Sequence, residues 1–264
     1  MNKGELLRKI TSDEEDRLVL ARLLDQWERC ERRSIPAATA FLTPGQQQLA
    51  EELLRVLGAA AVFDGGYDGA ERRAALFLPD YLTAEGYRGD EDYPLRAVRC
   101  AWRTEDRPSH RDFLGSLMGL GIRRDMVGDI LVDADSCDIL LRREVQEFVL
   151  QNYTAAGRVH VKTAPVALGD LHLPARRVQE IRDTVAALRL DSLVSSGFRI
   201  SRTKAAALIR GGKVEVNWRV CDKADHLCAE GDCLSARGYG KCRLAEVGGL
   251  SKKGRITVRM ERYQ

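Results

Sequence analysis

The sequence has few aromatic residues, no long apolar run and only four histidines. No uninterrupted apolar stretch approaches the roughly 18 to 20 residues that a membrane helix requires, and residues 1–9 lack the apolar core of a secretory signal peptide. These absences argue against a membrane partner and predict a cytoplasmic protein. With 264 residues and 44% hydrophobic content, the chain is long enough for two or three modest domains with buried cores.

The cysteines also lack the spacing that is typical of metal ligands. Four of the seven cysteines, Cys221, Cys228, Cys233 and Cys242, cluster towards the C-terminal end, but no CxxC pair occurs. Zinc sites usually bring their thiolates in such pairs. The sequence therefore predicts reduced structural cysteines, as is usual in a reducing compartment, with no metal site and no cofactor.

The sequence motifs of nucleotide-binding enzymes are absent as well. No GxxxxGK[ST] loop occurs, and no GxGxxG follows a predicted strand. His110-Arg111-Asp112 looks like the catalytic triplet of protein kinases, but Leu117 stands where an Asn would hold magnesium. We interpret the triplet as a coincidence, and we expect neither catalysis nor a small-molecule substrate.

The basic residues are concentrated in the last third of the chain. Residues 176–264 contain 19 Lys and Arg against 10 Asp and Glu, a formal charge of +9. Because the whole chain carries only +3, the first 175 residues carry −6. A basic segment of this size is what a phosphate backbone would attract.

A helix-helix-sheet unit is predicted over residues 184–237, where apolar positions change from helical to strand spacing. Residues 184–195 predict a first helix, which Ser195-Ser196-Gly197 ends. Ser201 is the predicted N-cap of a second helix that runs through Arg210 and stops at Gly211-Gly212. The strands and turns that follow are predicted at Val214–Val216, Asn217-Trp218, Val220, Gly231-Asp232 and Leu234–Ala236.

These residues resemble the S4-type RNA-binding domain, a small αL-containing module of ribosomal protein S4 and several RNA-modifying enzymes. The matching positions are Arg189-Leu190-Asp191, Ser201-Arg202, Ala205, Ile209, Gly212, Val214, Val216-Asn217, Val220, Gly231-Asp232 and Arg237. Trp218 departs from the family pattern, which usually has a small turn residue. Its indole either packs the loop or offers a stacking platform for a base.

The resemblance implies RNA contacts on the basic side chains of this unit. Arg189 on the first helix, Arg202, Lys204 and Arg210 on the second, and Lys213 in the glycine loop would contact phosphates or stack on exposed bases. Arg219, Arg237 and Arg243 would extend the contact along the sheet rim, and Ser201 and Asn217 complete the predicted set. Asp191 is predicted to support the site by orienting Arg189 or Arg202.

The middle of the chain has a βαββαβ order. Strands are predicted at residues 95–102, 129–132, 137–141 and 158–166, and helices at 112–120 and 142–152. This order favours an RRM-like, or ferredoxin-like, sandwich with two helices over one face of a four-stranded sheet. RRMs stack bases on aromatic side chains of their central strands, and the two predicted inner segments have none. We therefore expect a docking or spacing role for this domain.

The N-terminal region is predicted to be helical up to residue 57, followed by a hairpin. Ser12 with Glu15 predicts a capping box, and Thr43-Pro44 predicts a second helix start, which Phe41-Leu42 would anchor in the core. Strand-like residues 60–63 and 74–78 place Arg72-Arg73 at a hairpin end, where the two side chains could contact phosphate but are expected to be solvated. The predicted fold class is therefore α+β, with an N-terminal helical and hairpin region (1–90), an RRM-like domain (91–170) and an S4 domain (176–264).

A basic loop bounded by glycines, Gly121–Ile130 with Arg123-Arg124, follows the first helix of the middle region. Together with Phe41-Leu42, the βαββαβ order and the S4-like unit, it resembles the YlmH family of bacterial S4-domain proteins over nearly the whole chain. That resemblance implies a ribosome-associated protein that binds large-subunit ribosomal RNA and tRNA in the rescue of stalled translation. We expect it to act as a monomer.

Two other functional classes stay open. Arg189-Leu190-Asp191 also resembles the Arg-Leu-Asp string of pseudouridine synthases, whose Asp is the nucleophile. Such S4-bearing enzymes usually carry a catalytic domain after the S4 module, whereas 27 residues follow Arg237. The second alternative is a protein-interaction adaptor whose basic third meets an acidic partner.

The last strand-like segment alternates apolar and basic residues. Ile256, Val258 and Met260 alternate with Arg255, Thr257 and Arg259 after a Lys252-Lys253-Gly254 turn. We expect this strand to add an edge to the S4 sheet. Its basic side would either contact RNA or protect the edge from aggregation.

Overall fold

The computed structural model describes residues 3–103, 105–174 and 178–263. They form two compact units, Met1–Pro174 and Ala175–Gln264, which we call the N-terminal unit and the S4 unit. Both units mix helices with antiparallel sheet, so the predicted α+β class is confirmed. None of the helices in these described ranges is long and apolar enough to cross a membrane.

The first half of the N-terminal unit is a layer of helices on a small antiparallel sheet with the order β1-β3-β2. Its elements are α1 (Lys3–Ile10), α2 (Glu14–Arg33), β1 (Ala37–Ala38), α3 (Pro44–Leu57), β2 (Val62–Asp64), β3 (Ala74–Phe77) and α4 (Ala84–Arg88). The predicted start of a helix at Thr43-Pro44 is confirmed, and Thr43 also forms a capping box with Gln46. The predicted cap of α2 is wrong by one residue, because Asp13 has the extended backbone and accepts the Asp16 N–H.

The second half has the predicted βαββαβ order. Its elements are β4 (Leu95–Ala101), α5 (His110–Gly119), a 3₁₀ turn (Arg124–Met126), β5 (Val127–Val132), β6 (Ser136–Arg142), α6 (Arg143–Asn152), β7 (Ala155–Ala156), β8 (Val159–His160) and β9 (Lys162–Val166). All pairs in the four-stranded sheet are antiparallel, in the order β5-β6-β4-β9. The segment predicted as one last strand is divided into β8 and β9, because β8 pairs with β7 instead of joining this sheet.

The two faces of this sheet bury different partners. Val98 and Ile139 face α5 and α6, where they pack with Phe113 and Val149. On the opposite face, Leu140 packs with Phe41 and other residues of the first half. The side on which an RRM exposes its base-stacking residues is therefore covered by the protein's own N-terminal layer.

Asp129 and Arg72 connect these two halves. The Asp129 carboxylate accepts hydrogen bonds from Tyr67 Oη and from the backbone N–H of Glu71 and Arg72, at 2.7–3.1 Å. The Arg72 guanidinium donates to the carbonyl oxygens of Val127 and Phe41. The prediction of a solvated hairpin end is therefore wrong for Arg72, because backbone carbonyls of a neighbouring segment take the place of water.

The S4 unit is a six-stranded antiparallel sheet with two helices on one face. Its elements are β10 (Val178–Val185), α7 (Leu190–Phe198), α8 (Arg202–Arg210), β11 (Val214–Val216), β12 (Arg219–Val220), β13 (Cys233–Ala236), β14 (Gly240–Leu250) and β15 (Ile256–Tyr263). The strand order is β10-β15-β14-β13-β11-β12. The core contains Leu193 and Ile209 of the helices against Leu234 and Met260 of the sheet.

The predicted start of the first helix and the predicted position of the last strand need correction. The first helix does not include Thr184 and Val185, because these residues belong to β10, which pairs with β15 along its whole length. Consequently β15 is an inner strand rather than the predicted edge. Its Arg259 is engaged by carboxylates on the sheet surface, 3.0 Å from Glu246 and 2.8 Å from Glu261.

Candidate nucleic-acid interface

The helix pair α7–α8 is held in place by its caps and by one loop. The backbone N–H groups of Leu190 and Asp191 donate to the carbonyl oxygens of His226 and Ala224, so the loop after β12 fixes the start of α7. Arg199 ends α7 in the left-handed conformation with φ = 53°, and Ser201 caps α8 as predicted by accepting the Lys204 N–H. The two helices thus meet across a connection of only a few residues.

Asp191 is the buried acceptor of this site, with 7% of its surface exposed. Its carboxylate accepts two hydrogen bonds from Arg189, at 3.3 and 3.2 Å, and one from Arg202 Nη2 at 2.9 Å. Burial alone would raise the pKa of Asp191, but the hydrogen bonds from both arginines lower it below the ordinary value. One carboxylate therefore orients both guanidinium groups, where the sequence predicted that it would orient one or the other.

The other predicted side chains of α8 and its loop lie on the exposed surface. Lys204 places its Nζ 5.3 Å from the ring centroid of Tyr239, a cation–π contact with the β13–β14 turn. Arg210 is exposed in the last turn of α8. Lys213 and Arg237 are neighbours, because the Arg237 N–H donates to the Lys213 carbonyl at 2.9 Å. The structure thus brings the helix and loop cations to one end of the sheet.

Asn217 and Trp218 form the tight turn between β11 and β12. Both residues have positive φ, 48° and 61°, which is unusual for a bulky side chain. The Asn217 amide braces this turn, since its Nδ2 donates to Asp232 at 2.7 Å and its Oδ1 accepts the Cys233 N–H. The Trp218 indole is half-buried, and its Nε1 is buried without a hydrogen-bond partner among the described residues.

The remaining two predicted cations lie elsewhere on the sheet. Arg219 is exposed on the outermost strand, β12. Arg243 is exposed on β14 between Cys242 and Leu244, which are both buried in the core under the helices. Because successive strand residues point to opposite faces, Arg243 faces away from α7 and α8. A contact made by the helix pair alone would leave Arg243 out.

Sequence reasoning missed two arginines near this surface. Arg199 and Arg255 line a cavity of about 310 Å³ together with Arg202 and the end of β10. The sequence gives no signal for Arg199, because the αL position after a helix, which it occupies here, usually belongs to Gly or Asn. Arg255 was assigned only to the last strand, and its place beside Thr184, whose carbonyl it binds at 3.2 Å, depends on the pairing of β10 with β15.

The other chemistry-bearing motifs have structural roles. Asp112, the last residue of the kinase-like triplet, forms a capping box with Ser109 at the start of α5. All seven cysteines are free thiols, and burial raises the pKa of Cys228 and of Cys242 to about 12. Within the described parts of the chain, no group of three or more His, Cys, Asp or Glu residues is arranged to hold a metal ion.

Comparison with known proteins agrees with this architecture. Residues 91–170 match the family model described as "Putative RNA-binding domain in YlmH", and residues 188–233 match the S4 domain. The "Ribosome-associated protein quality control protein P2" of Bacillus subtilis (strain 168) is 36% identical over 227 residues, which cover 86% of this chain and 87% of that protein. The chain belongs to the YlmH family.

This membership confirms the resemblance to the YlmH family that the sequence analysis found. The chain is therefore an S4-domain RNA-binding protein. The solved structures include the "Cell division protein ylmH from Streptococcus pneumoniae", which is 24% identical with a TM-score of 0.49. That comparison covers 61% of this chain and 96% of the other.

Proposed function

We propose that this protein binds the large ribosomal subunit through its S4 unit, contacting ribosomal RNA, tRNA or both, in the rescue of stalled ribosomes. The observation that carries the proposal is the pair of guanidinium groups that Asp191 holds on the exposed side of α7 and α8. The name of the Bacillus subtilis relative, a ribosome-associated quality control protein, supports the ribosomal part. A ribosomal partner also agrees with the predicted cytoplasmic location.

Structured RNA suits this surface for a physical reason. Guanidinium groups bind phosphate oxygens through two parallel hydrogen bonds, and a fixed orientation reduces the entropy lost on binding. Because the major groove of A-form RNA is too narrow for side chains, such a contact recognises backbone shape rather than sequence. Lys204, Arg210, Lys213 and Arg237 would add phosphate contacts around the two fixed arginines.

We further propose that binding is not coupled to catalysis. A carboxylate nucleophile must be accessible to its substrate, whereas only 7% of the Asp191 surface is exposed and its carboxylate accepts from Arg189, Arg202 and the Ser192 hydroxyl. This occupancy disfavours the pseudouridine synthase alternative. The protein would act as a monomeric adaptor without a cofactor.

The test is co-sedimentation of the full chain with purified large subunits. Arg202→Ala with Lys213→Ala should weaken binding by about tenfold or more, because hydrogen bonds to charged groups contribute about 1.5–3 kcal/mol each. Arg158→Ala is the matched control, since it removes one exposed charge from the N-terminal unit. Unchanged co-sedimentation of the double variant would contradict the assignment.

The same samples separate the rival classes. RNA recovered from incubation with the protein should contain no new pseudouridine, and an isomerisation lost in Asp191→Asn would identify an enzyme. Nuclease treatment of the complex should release the protein. Retention after complete RNA digestion would favour the adaptor with an acidic protein partner.

A further inference from the structure

A second basic site lies in the N-terminal unit, in a cleft of about 740 Å³ between α2 and the 3₁₀ turn Arg124–Met126. Five arginines line this cleft against three carboxylates: Arg22, Arg72, Arg123, Arg124 and Arg142 against Glu15, Asp125 and Glu144. Leu18, Val19 and Met126 provide an apolar wall. The cleft thus combines an excess of fixed positive charge with an apolar surface.

Arg142 is the feature that points to a ligand. It lies at the end of β6 with only 6% of its surface exposed, and its Nη2 donates to Glu144 at 2.9 Å. Its Nη1 is buried and has no hydrogen-bond acceptor among the described residues. A buried charged donor without an acceptor is costly, and an anion in the cleft would supply the missing oxygen.

Arg22 and Arg123 extend the positive surface to the cleft mouth. Both approach the same carboxylate, since Asp125 accepts two hydrogen bonds from Arg123 at 3.0 and 3.1 Å and lies 3.9 Å from Arg22. One carboxylate cannot neutralise two guanidinium groups, so one positive charge remains for a ligand. More than half of each of these arginine side chains is exposed, so both can contact an incoming anion.

Arg72 and Arg124 line the part of the cleft that backbone carbonyls surround. The Arg72 guanidinium donates to the carbonyls of Val127 and Phe41, and Arg124 Nη1 donates to that of Gly128 at 3.2 Å. Burial, followed by the repulsion from Arg124, lowers the pKa of Arg72 to about 10, although Asp129 and Asp125 oppose this shift. This part of the cleft therefore contains a crowded group of cations that carbonyl dipoles hold in place.

The covered face of the RRM-like sheet narrows the choice of RNA-binding surface. Leu131 and Leu140 on that face are buried against Phe41 and Leu76 of the first half. RNA therefore cannot reach these strands in the manner of an RRM. The cleft lies where the two halves meet, and Arg123, Arg124 and Arg142 come from within the matched residues 91–170.

We propose that this cleft binds a backbone phosphate of RNA, with Arg142 and Arg123 as the phosphate ligands and Leu18 and Val19 against the attached nucleoside. The RNA class of this ligand rests on the function proposed above, whereas the position of the site rests on the cleft alone. The protein would thus have two separate RNA contacts, one in each unit.

Methyl NMR of the full chain can observe both contacts in one titration. Leu18, Val19 and Met126 report on the cleft, and Ala207, exposed on α8, reports on the S4 unit. The probes are a uridine octanucleotide, uridine 5′-monophosphate, uridine and a decapeptide of glutamate. The octanucleotide and the monophosphate should shift the cleft methyl signals, whereas uridine, which has no phosphate, should not.

Variants locate the effect. Arg22→Ala with Arg123→Ala should weaken the cleft response by about tenfold, given the usual strength of charge-assisted hydrogen bonds, while Arg158→Ala should leave it unchanged. Arg142→Gln should abolish the response, and an unchanged melting temperature shows that the variant is folded. The exposed pair keeps the test valid if Arg142→Gln does not fold.

Other outcomes distinguish the two proposals. A shift of the Ala207 methyl signal with unchanged cleft methyl signals would overturn the cleft site and leave the S4 function intact. Shifted cleft signals with an unchanged Ala207 signal would overturn the S4 function and leave the cleft site intact. If the cleft methyl signals respond to the monophosphate but not to the octanucleotide, the ligand of the cleft is a free nucleotide and the RNA assignment is wrong. A stronger response to the glutamate peptide than to RNA would overturn the phosphate assignment.

Discussion

Asp191 orients the guanidinium groups of two arginines in the S4 unit. Its carboxylate is buried, and those guanidinium groups donate hydrogen bonds to it. The sequence predicted the partners but not that both bind at once. Trp218 shows the opposite case, since the sequence marked it as unusual and the structure adds that it has φ = 61°. Its two alternatives, loop packing and base stacking, remain predictions.

The Asp191 interaction has a defined pH dependence. The folded pKa is below the ordinary value of 3.8, so the stabilisation is fully present above about pH 4 and is lost as the pH falls through the folded pKa. At neutral pH, Asp191→Asn should destabilise the S4 unit by about 1–2 kcal/mol, because two largely exposed arginines lose a charged acceptor. The difference from the parent should shrink below pH 4.

Urea unfolding, followed by hydrogen–deuterium exchange of S4-unit peptides, measures this difference. Asp222→Asn is the control, because it removes an exposed carboxylate from the same unit. A constant difference between parent and Asp191→Asn from pH 7 to pH 2.5 would disprove the carboxylate's role.

At the scale of elements, α7 shows why its end was mispredicted. Ser195-Ser196-Gly197 was expected to stop the helix, yet the helix continues through Phe198. Gly197 is required by packing instead, since a Cβ there would lie 2.9 Å from both Cys242 Sγ and Met260 Cε. A glycine that permits close approach and a glycine that ends a helix look the same in one sequence.

Gly197→Ala should therefore destabilise the S4 unit by about 1–3 kcal/mol, the usual cost of overpacking a core. Gly115→Ala in α5 is the matched control, because its Cβ would meet no atom within 4 Å. That control should be neutral or stabilising, since Ala has the higher helix propensity. Thermal unfolding of both variants measures the contrast, and equal effects would mean that α7 does not pack closely on β14 and β15.

At the scale of the whole molecule, the charge of the chain is divided between two units of opposite sign. The formal charge of +9 on residues 176–264 and −6 on the rest predicts that RNA attraction comes mainly from the S4 unit. The cleft adds a local exception, because its arginines gather in a unit that is acidic overall.

The salt dependence of ribosome binding should reflect this division. The logarithm of the association constant should fall linearly with the logarithm of salt concentration, by about 0.7–0.9 per phosphate contact. Arg202→Ala with Lys213→Ala should reduce the slope by about 1.4–1.8, since two phosphate contacts are lost, whereas Arg158→Ala should not change it. Filter binding between 50 and about 300 mM salt measures the slopes, and parallel lines for parent and double variant would place the phosphate contacts elsewhere.

The sequence by itself determined many of the helices and strands of this protein and the family that it resembles. Caps such as Ser201 and Thr43, the alternation in β11 and the βαββαβ order depend on neighbouring residues, which a single chain displays directly. The same holds for the S4 pattern, because its residues lie within about fifty positions of one another. The resemblance to the YlmH family rested on these local motifs, and the comparison with known proteins confirmed it.

Only the tertiary structure decided which surfaces are free. The pairing of β10 with β15 joins the two ends of the S4 unit, and Phe41 covers a sheet face that begins some fifty residues later. The unpartnered Nη1 of Arg142 and the opposite facing of Arg243 likewise depend on contacts between distant segments. Local patterns fix helices and strands, whereas burial is a property of neighbours in space, which one sequence does not display.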